Sequence, residues 1–551
     1  MANNSFKSLQ FASLIAVCLL IYTPVSSQKL FNYYLELTDK NGSPYSLDRP
    51  LEFLSQRCLD RMARNNVSLD YSSLPVSENY LADIRISNAK VLFYSRWQNS
   101  VTISSTDSNW LVNNPKPYIK STLRLRVIDK RGKNDSFKKE PVIRYYPDYG
   151  EAYNQVQIHH GGYIHSLGFQ GQGKLVAVID GGFQFVDQSP ALKHLFLTKK
   201  LIGVRDIWST NSDTLYKLNN HGAYVLGTMA GILPKKYLGS AVDAEYLIIR
   251  SERTDFERKI EEAAWISAIE YADSMGADLV NSSLGYTEFD DSLENYTFSD
   301  LNSYTSISSR QASMMLNHGM LLVNSAGNSG RSSFKYIGAP ADATGILSVG
   351  SINLNTLLRT GFSSFGFVRN GIVKPEVMSM GAGTAMPALN SDQVVYNSGT
   401  SFSSPLLAGL ITSLWSAFPN QSAANIRDAI IKSSDRYISP NEQYGYGIPD
   451  MIIAYNILKT NVPFDINDIQ LKLFPIPTNS LLNITGYLRE SDQWYTINIH
   501  NSQGKLLYTY YQTMLDRKIV HKVDVSAFYQ GTYIVSITTN SQHQSQRFLV
   551  N

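Results

Sequence analysis

The sequence predicts an α/β fold, a parallel sheet flanked by helices on both faces, with an α+β segment before it and a small β-sandwich after it. Three observations predict this architecture. Between residues 148 and 460, short unbroken apolar runs alternate with helical patterns, which is typical of a parallel sheet covered by helices. Residues 28–147 mix strand-like runs with an amphipathic helix. From residue 471 the pattern changes to short alternating strands.

Composition limits the possible classes of protein. The 551 residues are 43% hydrophobic and 17% charged, which is enough apolar material for a sizeable core. The net charge of +3 gives no general reason to expect a nucleic-acid partner. Only Cys18 and Cys58 are present, so a disulfide scaffold and a cysteine-rich zinc site are excluded.

Residues 1–27 have the pattern of a secretory signal peptide. Lys7 precedes the apolar run Phe11–Tyr22, and the small residues Val25–Ser27 follow. A membrane anchor is the alternative, but a bilayer span needs about 20 apolar residues and this run is shorter. We therefore expect export and a mature chain that starts near Gln28, secreted or at the cell surface.

The segment 28–147 contains one clear helical pattern. Apolar residues recur every three or four positions within Glu52–Arg64, which predicts an amphipathic helix with Cys58 as a small core residue. The stretch 130–139 is rich in charge, Gly, Asn and Ser, and is interpreted as a linker or an exposed strip.

The segment 148–460 alternates strands and helices. Leu175–Ile179 predicts a buried strand, and Leu279–Val280 and Leu321–Val323 predict two more. Residues 257–275 carry apolar residues on one helical face, and Gly276 follows as a stop signal.

The C-terminal part is predicted to be a separate β unit. Residues 461–470 form a polar connector, and 471–551 the β-sandwich. Within it, Asn501–Gly504 is flanked by two alternating runs, which indicates a hairpin.

Two polar residues of the middle segment stand where α/β active sites form. Asp180 ends the strand Leu175–Ile179, and the carboxyl ends of parallel strands border such sites. His221 opens an apolar helical run, and Gly222 after it leaves the ring free to face a cleft. Taken alone, a turn aspartate and a structural histidine remain open interpretations.

Two more candidates lie further along the chain. Ser401 precedes the apolar helix Leu406–Leu414, with Pro405 in the first turn, so it would lie at a helix N-terminus where negative charge is favoured. Asn328 follows a buried strand in a Gly-lined turn, where its amide could donate to an oxyanion, although turn asparagines are common.

The four candidate residues in combination indicate one type of active site far more specifically than any of them does alone. The order Asp, His, Ser is the one that subtilisin-type triads use. The middle segment resembles the catalytic domain of the subtilisin-like serine peptidase family through the following elements: Val176–Gly182, His221–Gly222, Asn281–Gly285, Ala326–Asn328, Lys374–Val377, Gly399–Pro405 and Tyr444–Asp450.

The resemblance implies a subtilisin-like fold for residues 148–460 and specific roles for the candidates. It implies that Asp180, His221 and Ser401 form the triad and that Asn328 is the oxyanion donor. It also implies that substrate binds along the edge formed by Ser283, Leu284 and Gly285, and at Gly327.

The flanking segments resemble known companions of this family. Phe53–Arg57 is similar to the prosegment of Bacteroidetes members, which implies an intramolecular inhibitor that is cut away between about Asp129 and Tyr149. Phe474–Thr478 and Gly531–Ile534 are similar to the C-terminal sorting domain of type IX secretion cargo. This similarity implies that the type IX secretion machinery is a partner.

We therefore expect a secreted serine endopeptidase that acts on proteins or peptides through an acyl-enzyme. The alternative is a catalytically inactive surface binding or adhesive protein on the same scaffold. A dinucleotide site at Gly168–Gly173 is disfavoured because the glycines precede the strand. A metal site at His159–His160 is also disfavoured, since adjacent histidines are usually exposed loop residues. No cofactor is certain; structural calcium at Glu288–Glu294 is possible, although a solvated loop is favoured.

Overall fold

The computed structural model describes residues 30–125, 149–369, 372–460, 471–487, 494–513, 518–539 and 543–551. The predicted signal peptide, the strip 130–139 and the connector 461–470 lie outside these ranges, as does almost all of the expected cut region. None of the helices within the described ranges has the length and apolar character needed to cross a membrane.

The N-terminal unit is α+β. Its elements are β1 Phe31–Leu37, α1 Gln56–Arg64, α2 Glu78–Ile86, β2 Ala89–Ser95, β3 Ser100–Ser105, α3 Trp110–Asn113 and β4 Ile119–Leu125. The four strands form an antiparallel sheet in the order β2-β3-β1-β4. The predicted helix is confirmed, with Ser55 as its N-cap. Cys58 is fully buried in its apolar face, as expected.

The middle unit carries most of the chain. Its helices are α4 Tyr153–Gln157, α5 Gly161–Ser166, α6 Lys193–Leu197, α7 His221–Ala230, α8 Ile260–Met275, α9 Ile307–Met314, α10 Thr400–Ala417, α11 Ala423–Lys432 and α12 Met451–Thr460. Its strands are β5 Leu175–Asp180, β6 Leu201–Asp206, β7 Ile232–Leu233, β8 Tyr237–Leu238, β9 Glu245–Arg250, β10 Leu279–Ser282, β11 Leu321–Ser325, β12 Leu347–Ile352, β13 Val368–Arg369, β14 Ile372–Val373, β15 Val377–Met380, β16 Thr384–Pro387 and β17 Val394–Asn397.

A seven-stranded parallel sheet in the order β15-β12-β11-β10-β5-β9-β6 organises this unit. Successive side chains of β5 enter two different cores. Val176 and Val178 pack with α7 and α10, whereas Ala177 and Ile179 pack with α8 on the opposite face. The predicted sheet with helices on both faces is thus confirmed, and burial on both faces explains why the strand is apolar throughout.

The helix that begins at Thr400 differs from its prediction in one detail. Pro405 is its sixth residue, one turn later than expected. Proline has no backbone N–H, so the carbonyl of Ser401 receives no helical hydrogen bond from it. The Ser283 hydroxyl donates to that carbonyl instead, at 3.0 Å, and joins the end of β10 to the start of α10.

The expectation of exposed histidines at 159 and 160 is wrong. Both residues are buried. His159 hydrogen-bonds the Pro449 carbonyl at 2.9 Å, and His160 meets Asp450 at 3.0 Å. These partners stand about 290 positions away in the sequence, so only the tertiary fold reveals them.

The C-terminal unit is the predicted β-sandwich. Its strands are β18 Lys472–Phe474, β19 Leu481–Tyr487, β20 Trp494–Asn501, β21 Leu506–Thr513, β22 Lys518–Asp524, β23 Gly531–Thr539 and β24 His543–Val550. A three-stranded sheet, β18-β19-β22, and a four-stranded sheet, β21-β20-β23-β24, enclose one apolar core. The predicted hairpin joins β20 to β21.

The N-terminal unit packs against α8 of the middle unit. Asp273 of that helix pairs with both Arg61 and Arg96, and all three side chains are buried. One turn away, Glu270 accepts hydrogen bonds from the backbone N–H groups of Arg96 and Trp97. Carboxylates of one unit thus satisfy cations and amides of the other.

The C-terminal unit contacts the middle unit through a buried ion pair. Lys472 lies 2.7 Å from Asp450, the residue just before α12. Asp450 is fully buried, and its contacts with Lys472 and His160 keep its pKa below the usual range despite the opposing effect of burial.

Candidate active site

The first two candidates meet at the carboxyl end of β5. Asp180 is the last residue of that strand and is almost completely buried. His221 is the first residue of α7, and its Nδ1 lies 2.8 Å from Asp180 Oδ1. Because the carboxylate can only accept, Nδ1 carries the proton and Nε2 is left as the acceptor in the neutral ring.

The electrostatic balance at His221 favours its charged form. Burial by itself lowers the pKa of the imidazole, but the charge and hydrogen bond of Asp180 outweigh it, so the pKa is raised above its ordinary 6.5. A group with this balance can accept a proton and hold the resulting charge.

Gly222 allows this close approach. A Cβ built on Gly222 would lie 2.6 Å from the Gly182 carbonyl and 2.7 Å from the Asp180 Cβ. Any side chain there would push α7 away from β5, so the His221-Gly222 pair is a geometric requirement of the Asp180–His221 contact.

Ser401 lies at the N-terminal end of α10, as predicted. Its backbone N–H is among those of a first helical turn, which have no intrahelical partner. The ring of the next residue, Phe402, lies 5.8 Å from the His221 ring between centroids. The described contacts include no hydrogen bond between the Ser401 hydroxyl and His221, which is common for such pairs without substrate.

Asn328 is held by the same helix end. Its Oδ1 accepts hydrogen bonds from the backbone N–H of Thr400 at 2.9 Å and from the Thr400 hydroxyl at 3.0 Å. Since the oxygen is fixed in this way, the amide NH₂ of Asn328 is the group that remains available as a donor. Sequence reasoning missed Thr400, whose position directly before Ser401 was the available signal.

A cleft of about 330 Å³ contains most of the predicted site. Its lining includes Ser401, Asn328, Gly327 and the segment Ser283–Gly285, whereas His221 is outside the lining. The structure therefore joins Asp180 to His221 and gathers the other candidates around one cleft.

The segment Ser283–Gly285 continues β10 beyond its last ladder pair. Asn324 donates to the Leu284 carbonyl at 3.1 Å and steadies the segment from one side. An extended segment that lines a cleft can pair with an extended peptide.

Within the described ranges, no three His, Cys, Asp or Glu side chains converge as a metal site. The run Glu288–Glu294 is described and contributes to none. The loop Gly168–Gly173 precedes β5, which leaves it away from the position where a dinucleotide phosphate would bind.

Sequence comparisons match three family profiles to the chain. The profile of the Subtilase family matches residues 171–447, which is half of the chain. The Peptidase S8 propeptide domain of Bacteroidota matches residues 32–139, and the secretion system C-terminal sorting domain matches residues 472–551.

Individual proteins are similar over the middle unit. A membrane-bound transcription factor site-1 protease from Mus musculus is 28% identical over 308 residues, 54% of this chain and 26% of that protein. Subtilisin DY from Bacillus licheniformis is 28% identical over 287 residues, 52% of this chain and 92% of that protein. A solved structure of the protease domain of PatA is 20% identical with a TM-score of 0.41, and covers 54% of this chain and 98% of that chain.

The family profile covers the strand that ends in Asp180, the helix that starts at His221 and the helix that carries Ser401. The chain therefore belongs to the subtilase family, with a propeptide domain before the catalytic unit and a sorting domain after it.

Proposed function

We propose that the protein is a secreted serine endopeptidase that cleaves peptide bonds through an Asp180–His221–Ser401 triad. The observation that carries the proposal is the 2.8 Å contact between Asp180 and His221, next to a cleft lined by Ser401 and Asn328. Membership of the subtilase family supports the same reaction class.

The nucleophile would be the Ser401 hydroxyl. A serine hydroxyl is a weak nucleophile, so a base must remove its proton as it attacks the scissile carbonyl. His221 Nε2 would take that proton and later deliver it to the leaving amine. Asp180 would keep the ring in the required tautomer and stabilise its charged form, in line with the raised pKa of His221.

The negative oxygen of the tetrahedral intermediate needs donors that are fixed in advance. The Asn328 amide, oriented by Thr400, and the Ser401 backbone N–H would supply two. Water would then attack the acyl-enzyme, with His221 again as the base, and release the second product.

The substrate would lie extended beside Ser283–Gly285 and add a strand to that edge. The same path suits a protein substrate better than a compact small molecule. Gly327, whose φ is +98°, also lines the cleft and has no side chain to obstruct the substrate backbone.

The flanking units would control when and where the enzyme acts. The propeptide domain would inhibit the enzyme in the same chain until it is cut, and the sorting domain would engage type IX secretion machinery. Export would leave the enzyme secreted or at the cell surface.

The test is hydrolysis of a denatured protein by the purified mature form. The wild-type protein should release peptides, and Ser401→Ala should be inactive while it keeps the same thermal unfolding midpoint. Equal hydrolysis by both forms would contradict the proposal.

A second candidate is an inactive binding protein on the same scaffold. Among the described contacts the Ser401 hydroxyl forms no hydrogen bond with His221, an arrangement that fits an inactive protein as well as a substrate-free enzyme. No hydrolysis by folded wild-type protein, freed of its prosegment, would favour this candidate.

A further inference from the structure

A stacked pair of rings joins the propeptide domain to the catalytic unit. The rings of Trp97 and His318 lie 3.8 Å apart between centroids, with an angle of 6° between their planes. Trp97 follows β2 in the propeptide domain, and His318 ends the 3₁₀ turn Met315–His318 between α9 and β11. Both residues are buried. The imidazole is thus covered by the propeptide domain as long as the two units stay together.

The chain next to His318 is covered in the same way. Gly319, whose φ is +75°, packs so closely against Asn65 of the propeptide domain that a Cβ built on it would lie 2.8 Å from the Asn65 side chain. Asn65 Oδ1 in turn accepts a hydrogen bond at 2.7 Å from the backbone N–H of Ala423, the first residue of α11. Departure of the propeptide domain would therefore expose His318 to water.

The propeptide domain also surrounds the imidazole with positive charge. Burial disfavours the charged ring most strongly, and Arg96, Arg61 and Lys40 add to that effect. Asp70, also in the propeptide domain, acts in the opposite direction. Together these influences lower the pKa of His318 to about 3.

The carboxylates of α8 are already engaged by the same arginines. Asp273 pairs with both Arg61 and Arg96. Glu270 lies 3.8 Å from the Arg96 guanidinium. Among the described contacts no carboxylate bonds to the His318 ring, so a proton on that ring would add a buried charge without a partner.

His318 is the group of this interface whose charge can change near neutral pH. Imidazole is the side chain whose ordinary pKa lies between pH 5 and 8, and residues 28–147 contain no histidine. Of the nine histidines, His318 is the one with a described contact to the propeptide domain. Carboxylates that cross the interface titrate lower: although burial opposes it, the pair with Arg310 keeps the pKa of Glu36 below its usual value.

We propose that protonation of His318 weakens the binding of the propeptide domain, so that the Trp97–His318 contact acts as a pH-sensitive latch. The latch holds the propeptide near neutral pH and releases it in mild acid. It acts on the binding of the two units, so it would operate whether or not the enzyme cleaves peptides.

The direction and size of the effect follow from the linkage between protonation and binding. Without the propeptide domain, Trp97 and the three cations leave His318, and its pKa returns toward the ordinary value of about 6.5. The free catalytic unit then takes up a proton below pH 6.5, which the complex does not bind until about pH 3. The dissociation constant should therefore rise about thirtyfold between pH 7.5 and pH 5.0.

The test uses the chain from residue 28 as a Ser401→Ala variant, with a recognition sequence for a site-specific protease placed within residues 130–139. Cutting there gives the propeptide domain as a separate chain that remains bound, without any self-cleavage. The complex is immobilised through its C-terminus, and the dissociation constant of the propeptide is measured at pH 7.5 and at pH 5.0. Binding is the readout because protonation of His221 would lower activity in acid by itself.

Two substitutions identify the responsible imidazole. His318→Phe keeps an aromatic ring against Trp97 but cannot take up a proton, so its dissociation constant should change less than about threefold between the two pH values. His543→Phe is the matched control, because His543 is exposed on β24 of the sorting domain, and it should keep the about thirtyfold change. A general effect of acid would appear equally in all three proteins.

Two outcomes would overturn the latch. One is a dissociation constant that changes less than about threefold with His318 in place, and the other is a change of about thirtyfold that persists in His318→Phe. The first comparison needs no substitution at residue 318, and His318→Gln supplies a second neutral side chain if His318→Phe does not fold. Release of the propeptide in acid from a chain that, with Ser401 restored, cleaves no protein would contradict the proposed peptidase function alone.

Discussion

Glu270 should control how tightly the propeptide domain binds the catalytic unit. The residue is only 8% exposed and lies on α8 at the interface. It accepts hydrogen bonds from the Ser95 hydroxyl at 2.6 Å, the Arg96 N–H at 2.8 Å and the Trp97 N–H at 3.1 Å. Glu270→Ala removes both carboxylate oxygens and with them all three hydrogen bonds, and it leaves two backbone donors unsatisfied in a buried interface.

The magnitude follows from these three bonds. A hydrogen bond to a charged group contributes about 1.5 kcal/mol at the low end, so three correspond to about 4.5 kcal/mol. That is roughly a two-thousandfold change in the dissociation constant. The assay is calorimetric titration of mature Ser401→Ala enzyme with separately produced propeptide domain, residues 28–147.

Glu262 provides the control on the same helix. It is also buried, but its partners Tyr296, Ser306 and Ser308 all belong to the catalytic unit. Glu262→Gln should lower the thermal stability of that unit and leave the dissociation constant within about threefold. A Glu270→Ala enzyme that binds the propeptide domain as tightly as wild type would refute the reasoning, as would an equal loss in Glu262→Gln.

Three further predictions concern the site and the sorting domain. The acid limb of the kcat/KM profile should have its midpoint above pH 6.5, because Asp180 raises the pKa of His221. Only the neutral ring can accept the serine proton, so activity falls as the pH drops through that pKa. A midpoint clearly below pH 6.5 would contradict this prediction. Asn328→Ala should lower kcat about 10²–10³-fold with little change in KM, since the amide acts on charge that develops in the transition state. A near-normal kcat in a peptide assay would count against the oxyanion role of Asn328. Lys472→Met leaves Asp450 buried without its cation, which should destabilise the docked sorting domain by about 3–5 kcal/mol. Limited proteolysis should then cut the variant near residue 470 faster than the wild type, and equal cutting rates would show that the pair does not hold the domain.

Much of the fold could be predicted from local patterns. The strand that ends in Asp180 is apolar because both its faces are buried, and this leaves a clear signal in the sequence. The sequence of α8 shows both the apolar face of the helix and its end at Gly276, whose φ is +86°. Local patterns succeed at these elements because each element's own residues carry the signal.

The unpredicted features depend on distant partners. Histidines 159 and 160 look like loop residues until Pro449 and Asp450 are brought beside them. The buried pairing of Arg61 with Asp273 likewise joins residues that are 212 positions apart. In a single sequence nothing links such residues, so burial of a polar side chain cannot be read from its neighbours.

The triad itself has one direct test. Purified mature protein should react with a fluorophosphonate to give a single adduct, which peptide mapping locates at Ser401. His221→Ala should slow the labelling by at least about a thousandfold, because the hydroxyl loses the base that removes its proton. An adduct on another residue, or labelling of His221→Ala at the wild-type rate, would contradict the account.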